Sequence, residues 1–209
     1  MVTSSLYRKH NGFFLFKMWM YFFILGLFIQ PGYTGTYTCP SKCACVDSIH
    51  NSVKGYNVNC SGVNLTSIPS TTDKDANQVY RLFLSKNSIS MVAANDFTYF
   101  TGLLELDLSF NSLSSITAGV FDSLTNLQIL NLQGNGISSF SSKTFDIKSL
   151  ISLNLAYNNF TVLNKDFLGQ DNIQYLDLSF NQITSLPKSS FNNRYLQYID
   201  LSQNQISSI

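Results

Sequence analysis

A nine-residue apolar pattern that recurs at a fixed period constrains the fold of this chain more than any other feature. The pattern reads LxxLxLxxN, where L is an aliphatic residue, and its rows start at residues 79, 103, 127, 150, 173 and 196. These starts lie 24, 24, 23, 23 and 23 residues apart. A unit of this length cannot bury its apolar side alone, so neighbouring units must stack. The period therefore predicts a solenoid over residues 79–209, with five full repeats and a truncated sixth.

Apolar and other side chains alternate within each row, which predicts a short strand with one buried face. We expect successive strands to lie side by side in parallel, about 4.8 Å apart. The predicted inward pairs are Leu82/Leu84, Leu106/Leu108, Leu130/Leu132, Leu153/Leu155, Leu176/Leu178 and Ile199/Leu201. A phenylalanine then recurs on the return path of each repeat, which predicts an aromatic column on the convex side: Phe97, Phe121, Phe145, Phe167 and Phe191.

An asparagine closes every row, at Asn87, Asn111, Asn135, Asn158, Asn181 and Asn204. An inward amide can pair with backbone groups that a tight turn would otherwise leave unsatisfied. We therefore predict a structural ladder of asparagines, with no catalytic role for them.

The first 35 residues are predicted to be a secretory signal peptide. A basic patch, Arg8 to His10, precedes twelve uninterrupted apolar residues from Met18 to Ile29. That run is too short for a bilayer, which needs about 20 residues, and it fits the apolar region of a signal peptide. An uncleaved signal anchor is the main alternative, and a buried core helix is a weaker one. The signal peptide and the anchor both direct the rest of the chain into the secretory route.

Four cysteines, Cys39, Cys43, Cys45 and Cys60, lie in one short window. An even number of closely spaced cysteines in a secreted chain indicates disulfides, and the residues alone leave three pairings open. A zinc site is the rival interpretation. It is disfavoured because the window lacks a CxxC pair and because an oxidising compartment competes for the thiols.

These motifs together resemble extracellular leucine-rich-repeat proteins of the typical 24-residue class. LDLSFNQI (176–183) is the clearest row, and CPSKCAC (39–45) followed by VNCSGVNLTSIP (58–69) is similar to the N-terminal cap of that family. The family includes lymphocyte-receptor-like proteins, Toll-type receptors and neuronal guidance or adhesion proteins. The resemblance implies an α/β solenoid, a horseshoe with a parallel concave sheet and a disulfide-stapled cap at 36–78. It also implies the pairings Cys39–Cys45 and Cys43–Cys60.

Family members usually carry a second cysteine-rich cap after the last repeat. The sequence shows none after the sixth row, so we expect it to be a fragment of a longer protein. A partner or a second copy that covers the last apolar face is the alternative.

The concave sheet is the expected binding face, because positions three, five and seven of each row point outward from it. Aromatic and arginine side chains are the usual hot spots of interfaces. The candidate contacts are Arg81, Phe83, Glu105, Ile129, Tyr157, Tyr175 and Tyr198. Asp107, Asp177 and Asp200 occur in phrases common to the family, so they are discounted as specificity residues, and a calcium-binding strip is the less favoured interpretation. The alternative is a solvated sheet with the ligand site elsewhere in the full protein.

Three sequons predict N-linked glycan acceptors: Asn159, Asn64 and Asn59, in descending order of preference. Asn59 is placed last because it adjoins a disulfide cysteine.

Composition excludes several function classes. The formal net charge of +1 gives no basic cluster for phosphates, so we expect no nucleic-acid partner. The repeats contain no histidine, nucleophile elbow or glycine-rich phosphate loop, so we predict no enzyme, cofactor or metal. The sequence favours a secreted or cell-surface recognition module for an extracellular protein or glycan, as part of a receptor or adhesion protein. A secreted matrix protein is the alternative, and membrane attachment would need either a part beyond residue 209 or the uncleaved anchor.

Overall fold

The computed structural model describes residues 37–69, 74–140, 144–163, 172–186 and 193–207. All of them belong to one unit, Gly35–Ile209. The predicted signal peptide lies outside the described residues, as do Phe167, Phe191 and Ile209. No helix within the described ranges is long and apolar enough to cross a membrane.

Ten strands form two sheets in the described part of the chain. The larger sheet has the order β1-β2-β3-β4-β6-β8-β9-β10, and β5 and β7 form a second, small sheet. The strands are β1 Ala44–His50, β2 Val53–Asn59, β3 Val79–Phe83, β4 Glu105–Asp107, β5 Ser115–Ile116, β6 Ile129–Asn131, β7 Ser139–Phe140, β8 Ser152–Asn154, β9 Tyr175–Asp177 and β10 Tyr198–Asp200.

The strands that the six rows predict are present and in register. From β3 to β10 each strand pairs in parallel with the next in the large sheet, and position three of every row aligns: Arg81, Glu105, Ile129, Ser152, Tyr175 and Tyr198. This register confirms the predicted parallel solenoid. The described return segments hold two short 3₁₀ helices, Lys74–Gln78 and Ala94–Phe97, and the small β5–β7 sheet, and these supply the convex side.

The inward side chains of β3 to β9 form one buried core. Ile199 and Leu201 of β10 are only partly buried, because β10 has a neighbour on one side within the described residues. On the convex side the ring of Phe121 lies 6.0 Å from that of Phe97 and 6.3 Å from that of Phe145. The predicted aromatic column is therefore present over its three described members.

The asparagine ladder connects each repeat to the one before it. The side-chain oxygen accepts a backbone N–H from the preceding turn, as Asn111 Oδ1 accepts the N–H of Ile89 at 3.0 Å. The amide nitrogen donates to carbonyls of the preceding and of its own repeat, as from Asn111 to Leu84 and Leu108. The same pattern recurs at Asn87, Asn135, Asn158, Asn181 and Asn204. The amides thus satisfy backbone groups that the turns bury.

The cap is a β-hairpin that continues the sheet. β1 and β2 pair antiparallel, and β2 pairs in parallel with β3. Asn51 and Ser52 connect them with φ of 48° and 65°, the two left-handed residues of a type I′ turn. The disulfides join Cys39 to Cys45 and Cys43 to Cys60, the pairing that the family resemblance implies. Val58 and Cys60 are fully buried, so the hairpin covers the apolar end of the repeats.

Candidate binding face

The N-terminal half of the concave face carries an ion pair between neighbouring repeats. Arg81 Nε lies 3.1 Å from Glu105 Oε2, and both side chains are partly exposed. Burial raises the pKa of Glu105, the nearby charge of Asp107 acts in the same direction, and Arg81 opposes both. Each of these two charges already has a partner in the chain. The predicted contact residues Arg81 and Glu105 are therefore brought together, with half-buried Phe83 on the strand of Arg81 and half-buried Ile129 on the strand beside Glu105.

Two tyrosines dominate position three at the other end of the sheet. Tyr175 and Tyr198 are register neighbours on β9 and β10. The Tyr175 hydroxyl donates to Gln197 Oε1 at 3.1 Å, and the Tyr198 hydroxyl donates to Asp200 Oδ2 at 3.2 Å. Burial raises the pKa of Tyr198 to about 12, with a further contribution from the charge of Asp200, so this hydroxyl stays a donor at neutral pH.

Position five carries a side-chain oxygen in every repeat after the first, and that oxygen shapes the backbone. Oδ1 accepts the N–H of the residue two positions later, an Asx turn that bends the chain out of the strand. The donor–acceptor distances are 2.8–3.1 Å for Asp107, Asn131, Asn154, Asp177 and Asp200. The turn explains why Asp or Asn recurs at position five, and Asn131 and Asn154 show that it needs the oxygen and not the negative charge.

The surroundings of Asp177, the position-five residue of the fifth row, shift its pKa. Burial raises its pKa, hydrogen bonds from the hydroxyl and N–H of Ser179 lower it, and the charge of Asp200 raises it. Asp200 lies directly beside it in the sheet register. Two carboxylates therefore stand next to one another on β9 and β10, which disfavours ionisation of the more buried one.

Position eight adopts left-handed backbone in all six rows. The φ values run from 53° to 66° for Lys86, Phe110, Gly134, Tyr157, Phe180 and Gln203. Gly134 alone among these six lacks a Cβ and so meets no steric penalty in this region. Gly134 also makes room for its neighbour, because a Cβ built there would lie 2.6 Å from Cδ1 of Phe110.

Three of the position-eight residues are exposed aromatics at the edge of the sheet. Phe110, Tyr157 and Phe180 are 47 %, 47 % and 42 % exposed. The rings of Tyr157 and Phe180 stack with centroids 4.1 Å apart and planes 8° from parallel. Tyr157, a predicted contact, thus lies in the turn beyond β8 and not on the strand itself. Sequence reasoning left its stacking partner Phe180 out of the contact set, although the shared row position could have identified it.

The three sequons fall into two structural classes. Asn59 ends β2, pairs with Phe83 in the sheet register and accepts the N–H of Ser61 at 2.9 Å, so it occupies position five of the cap strand. Asn64 and Asn159 are exposed in the turns that follow β2 and β8, each one residue beyond its row's ninth position. The Asn159 amide donates to the carbonyl of Gly136 at 3.5 Å. Glycan on Asn59 would therefore occupy the concave face, whereas the other two would leave it open.

Comparison with known proteins extends this geometry to a family. The leucine rich repeat family model matches residues 77–137, 126–183 and 171–209, which together span 77–209. A chain in the crystal structure of a TLR13–ssRNA13 complex is similar, with a TM-score of 0.64 and 30 % identity over 72 % of this chain. The match spans 22 % of that protein's chain. No curated protein sequence matches. From the family model and the observed solenoid together, the chain belongs to the leucine-rich-repeat family.

Proposed function

We propose that this chain is an extracellular recognition module that binds a protein partner through the concave face of its sheet. The observation that carries the proposal is the set of outward aromatics, Tyr175 and Tyr198 on the strands and Tyr157 and Phe180 at the edge. The inward leucines and the asparagine ladder form the core and the turns, whereas these four rings face outward from the core. Exposed aromatics on a rigid scaffold are typical of interface hot spots.

Several features support an extracellular location. Both cap disulfides need an oxidising compartment, and the predicted signal peptide and the three sequons fit the same route. The Toll-like receptor neighbour is compatible with a secreted or cell-surface protein. The family and its fold are typical of recognition modules, and we propose no catalytic role.

The expectation that excludes nucleic acid finds no support in the comparison, because the TLR13 neighbour is a complex with ssRNA. For this chain the exclusion rests on charge alone. Positions three, five and seven of the described rows hold one basic residue, Arg81, against four acidic ones, Glu105, Asp107, Asp177 and Asp200, and position eight adds Lys86. Phosphate binding needs clustered Lys and Arg, so this face favours a protein over RNA.

Location is tested by expressing the full chain with a C-terminal tag in cultured animal cells. The proposal expects tagged protein in the medium or on unpermeabilised cells. It also expects a loss of apparent mass on endoglycosidase digestion, and no free thiol in the denatured, unreduced protein. Four alkylatable cysteines in a cytosolic, unglycosylated product would overturn the extracellular assignment.

Binding is tested with the full chain, made multivalent through its tag and applied to a panel of cell lines. The proposal expects staining that protease treatment of the cells abolishes and that the double variant Tyr175→Ala/Tyr198→Ala loses. The matched control is Tyr99→Ala/Tyr195→Ala, which removes two exposed tyrosines outside the concave rows. Staining that survives protease but not nuclease would indicate nucleic acid, and equal loss in both double variants would refute the concave site.

A further inference from the structure

The two halves of the concave face differ in how their charges are compensated. In the N-terminal half Glu105 faces Arg81 across neighbouring strands at 3.1 Å. In repeats four to six, positions three, five, seven and eight of the described rows contain no Lys, Arg or His. The aromatic and acidic residues among them are six, which we call the C-terminal concave surface: Tyr157, Tyr175, Asp177, Phe180, Tyr198 and Asp200.

We propose that the C-terminal concave surface binds a basic segment of the protein partner, with a partner arginine placed against Asp177, Asp200 and the ring of Tyr198. This inference rests on the proposed function and specifies the partner's chemistry. Among the described row positions, the N-terminal half supplies its own cation and the C-terminal half holds none. The missing positive charge is therefore expected to come from the partner.

The carboxylates are placed to accept a guanidinium. Oδ1 is the acceptor of the Asx turn in both: Asp177 accepts the N–H and hydroxyl of Ser179 at 2.9 and 2.7 Å, and Asp200 accepts the N–H of Ser202 at 2.8 Å. Asp200 Oδ2 also accepts the Tyr198 hydroxyl. The two residues are adjacent in the sheet register, so their charges repel across one strand spacing. A planar guanidinium with five donors can bridge two such carboxylates and remove that repulsion. Burial and Asp200 together raise the pKa of Asp177, which agrees with an uncompensated charge at this place.

The aromatic rings complete the surface around the carboxylates. Tyr198 is 38 % exposed, and its hydroxyl is held by Asp200, so its ring stands beside the proposed arginine position. A cation over such a ring gains a cation–π contribution. The stacked Tyr157–Phe180 pair lies in the turns beyond the ends of β8 and β9. It provides an apolar contact for a neighbouring residue of an extended partner segment.

The test uses the full chain, immobilised through its tag, and a soluble Gly-Ser peptide that carries three arginines. The matched peptide replaces each arginine by citrulline, which keeps the shape and removes the charge. We expect the arginine peptide to bind with an affinity that falls as salt is raised, and the citrulline peptide to bind at least about tenfold more weakly. The double variant Asp177→Asn/Asp200→Asn should lose at least about tenfold in affinity for the arginine peptide.

The asparagine variant keeps the fold, because Asn131 and Asn154 already make the same turn in neighbouring repeats. Asp47→Asn/Asp122→Asn is its matched control, since both of these exposed carboxylates lie outside the C-terminal concave surface. The control should bind the arginine peptide as the wild type does. Circular dichroism of each variant checks that the sheet is intact.

Four outcomes would overturn the inference. The first two are no binding of the arginine peptide at millimolar concentration and equal binding of the citrulline peptide. The third is an unchanged affinity of Asp177→Asn/Asp200→Asn for the arginine peptide. The fourth is binding of a single-stranded RNA with an affinity that this double variant does not raise. The cell-staining assay separates this failure from failure of the proposed function. If Tyr175→Ala/Tyr198→Ala abolishes staining and Asp177→Asn/Asp200→Asn leaves it intact, concave recognition stands and the basic partner does not.

Discussion

The side-chain oxygen of Asn158 accepts the backbone N–H of Ile137 at 3.0 Å, one repeat earlier in the chain. The same amide donates to the carbonyls of Leu132 and Leu155 at 3.0 and 3.1 Å. One buried side chain therefore satisfies backbone groups of two adjacent repeats, and few substitutions could replace all three bonds at once.

Asn158→Ala is expected to lower the free energy of unfolding by about 3 kcal/mol. The substitution leaves one buried N–H and two buried carbonyls short of a partner, and each such loss costs about 1–3 kcal/mol before relaxation. Urea denaturation followed by circular dichroism measures the change. The control is Asn95→Ala, an exposed amide outside the ladder, which should stay within about 0.5 kcal/mol of the wild type. Equal effects of the two substitutions would contradict the structural role of the ladder.

Asp177→Asn is expected to raise stability at pH 7. Burial raises the pKa of Asp177, so the folded chain binds this proton more tightly than the unfolded chain does. The corresponding stability is fully present below the ordinary carboxyl value of 3.8 and is lost as the pH rises through the raised folded-state value. Asparagine keeps the Oδ1 acceptor and carries no charge to desolvate. Denaturation curves should show the advantage of Asp177→Asn at pH 7 and its disappearance below pH 3.8.

The matched substitution Asp177→Ala separates the turn from the charge. It removes the charge and also the acceptor for the N–H of Ser179, a residue that is itself buried. Asp177→Ala should therefore be about 1 kcal/mol less stable than Asp177→Asn at pH 7. Stabilisation by alanine as large as that by asparagine would show that the turn bond contributes nothing.

Gly134→Ala is expected to destabilise the chain for two separable reasons. The residue has φ of 66°, where a Cβ costs about 1 kcal/mol, and that Cβ would meet the ring of Phe110 at 2.6 Å. Phe110→Ala removes the ring and leaves the backbone conformation. A double-mutant cycle should therefore show coupling, with Gly134→Ala costing less in the Phe110→Ala background. Strict additivity would mean that the exposed ring moves aside without cost.

Loss of the cap disulfide that closes the longer loop is expected to lower the free energy of unfolding more than loss of the one that closes the shorter loop. Cys43 and Cys60 are 17 residues apart and Cys39 and Cys45 are 6 apart, which corresponds to about 3 and about 2 kcal/mol of loop entropy. Cys60 is also fully buried at the end of the core. Paired alanine variants compared by thermal unfolding test the order. The reverse order would show that the Cys39–Cys45 bond stabilises the cap more than closure of the longer loop does.

The repeat architecture could be predicted from the sequence because the alternation of apolar side chains and the repeat period occur in the same rows. Leu82 and Leu84 face inward for the reason that any LxL strand on an apolar core does, and the 23- or 24-residue spacing fixes which strands are neighbours. The cap hairpin was not predicted, since Ile49 and Val53 beside its turn are exposed and give no clear alternation. Its turn uses Asn51 and Ser52, and serine is not a strong signal for left-handed backbone.

The proposed binding face could be predicted in outline only. Row position identifies the outward side chains at positions three and five, whereas position seven, also expected to point outward, is buried at Ser109, Ala156 and Ser179. The Arg81–Glu105 pair could have been inferred from equal positions in successive rows. The left-handed backbone of Phe110, Tyr157 and Phe180 could not, because bulky residues ordinarily avoid it and only the closed turn of the solenoid imposes it. The stack of Tyr157 on Phe180 follows from that imposed geometry.

The turn that ends each of these strands uses a side-chain oxygen at position five, and it forms with a charged carboxylate or with a neutral carboxamide. Three carboxylates and two carboxamides make the same bond there, at Asp107, Asp177 and Asp200 and at Asn131 and Asn154. Exchange between the two groups would alter the electrostatic potential of the inner wall one repeat at a time without disturbing the coil. The bond that shapes each turn and the charge that the inner wall presents are therefore set independently, since an Asp-to-Asn change removes the charge and keeps the acceptor.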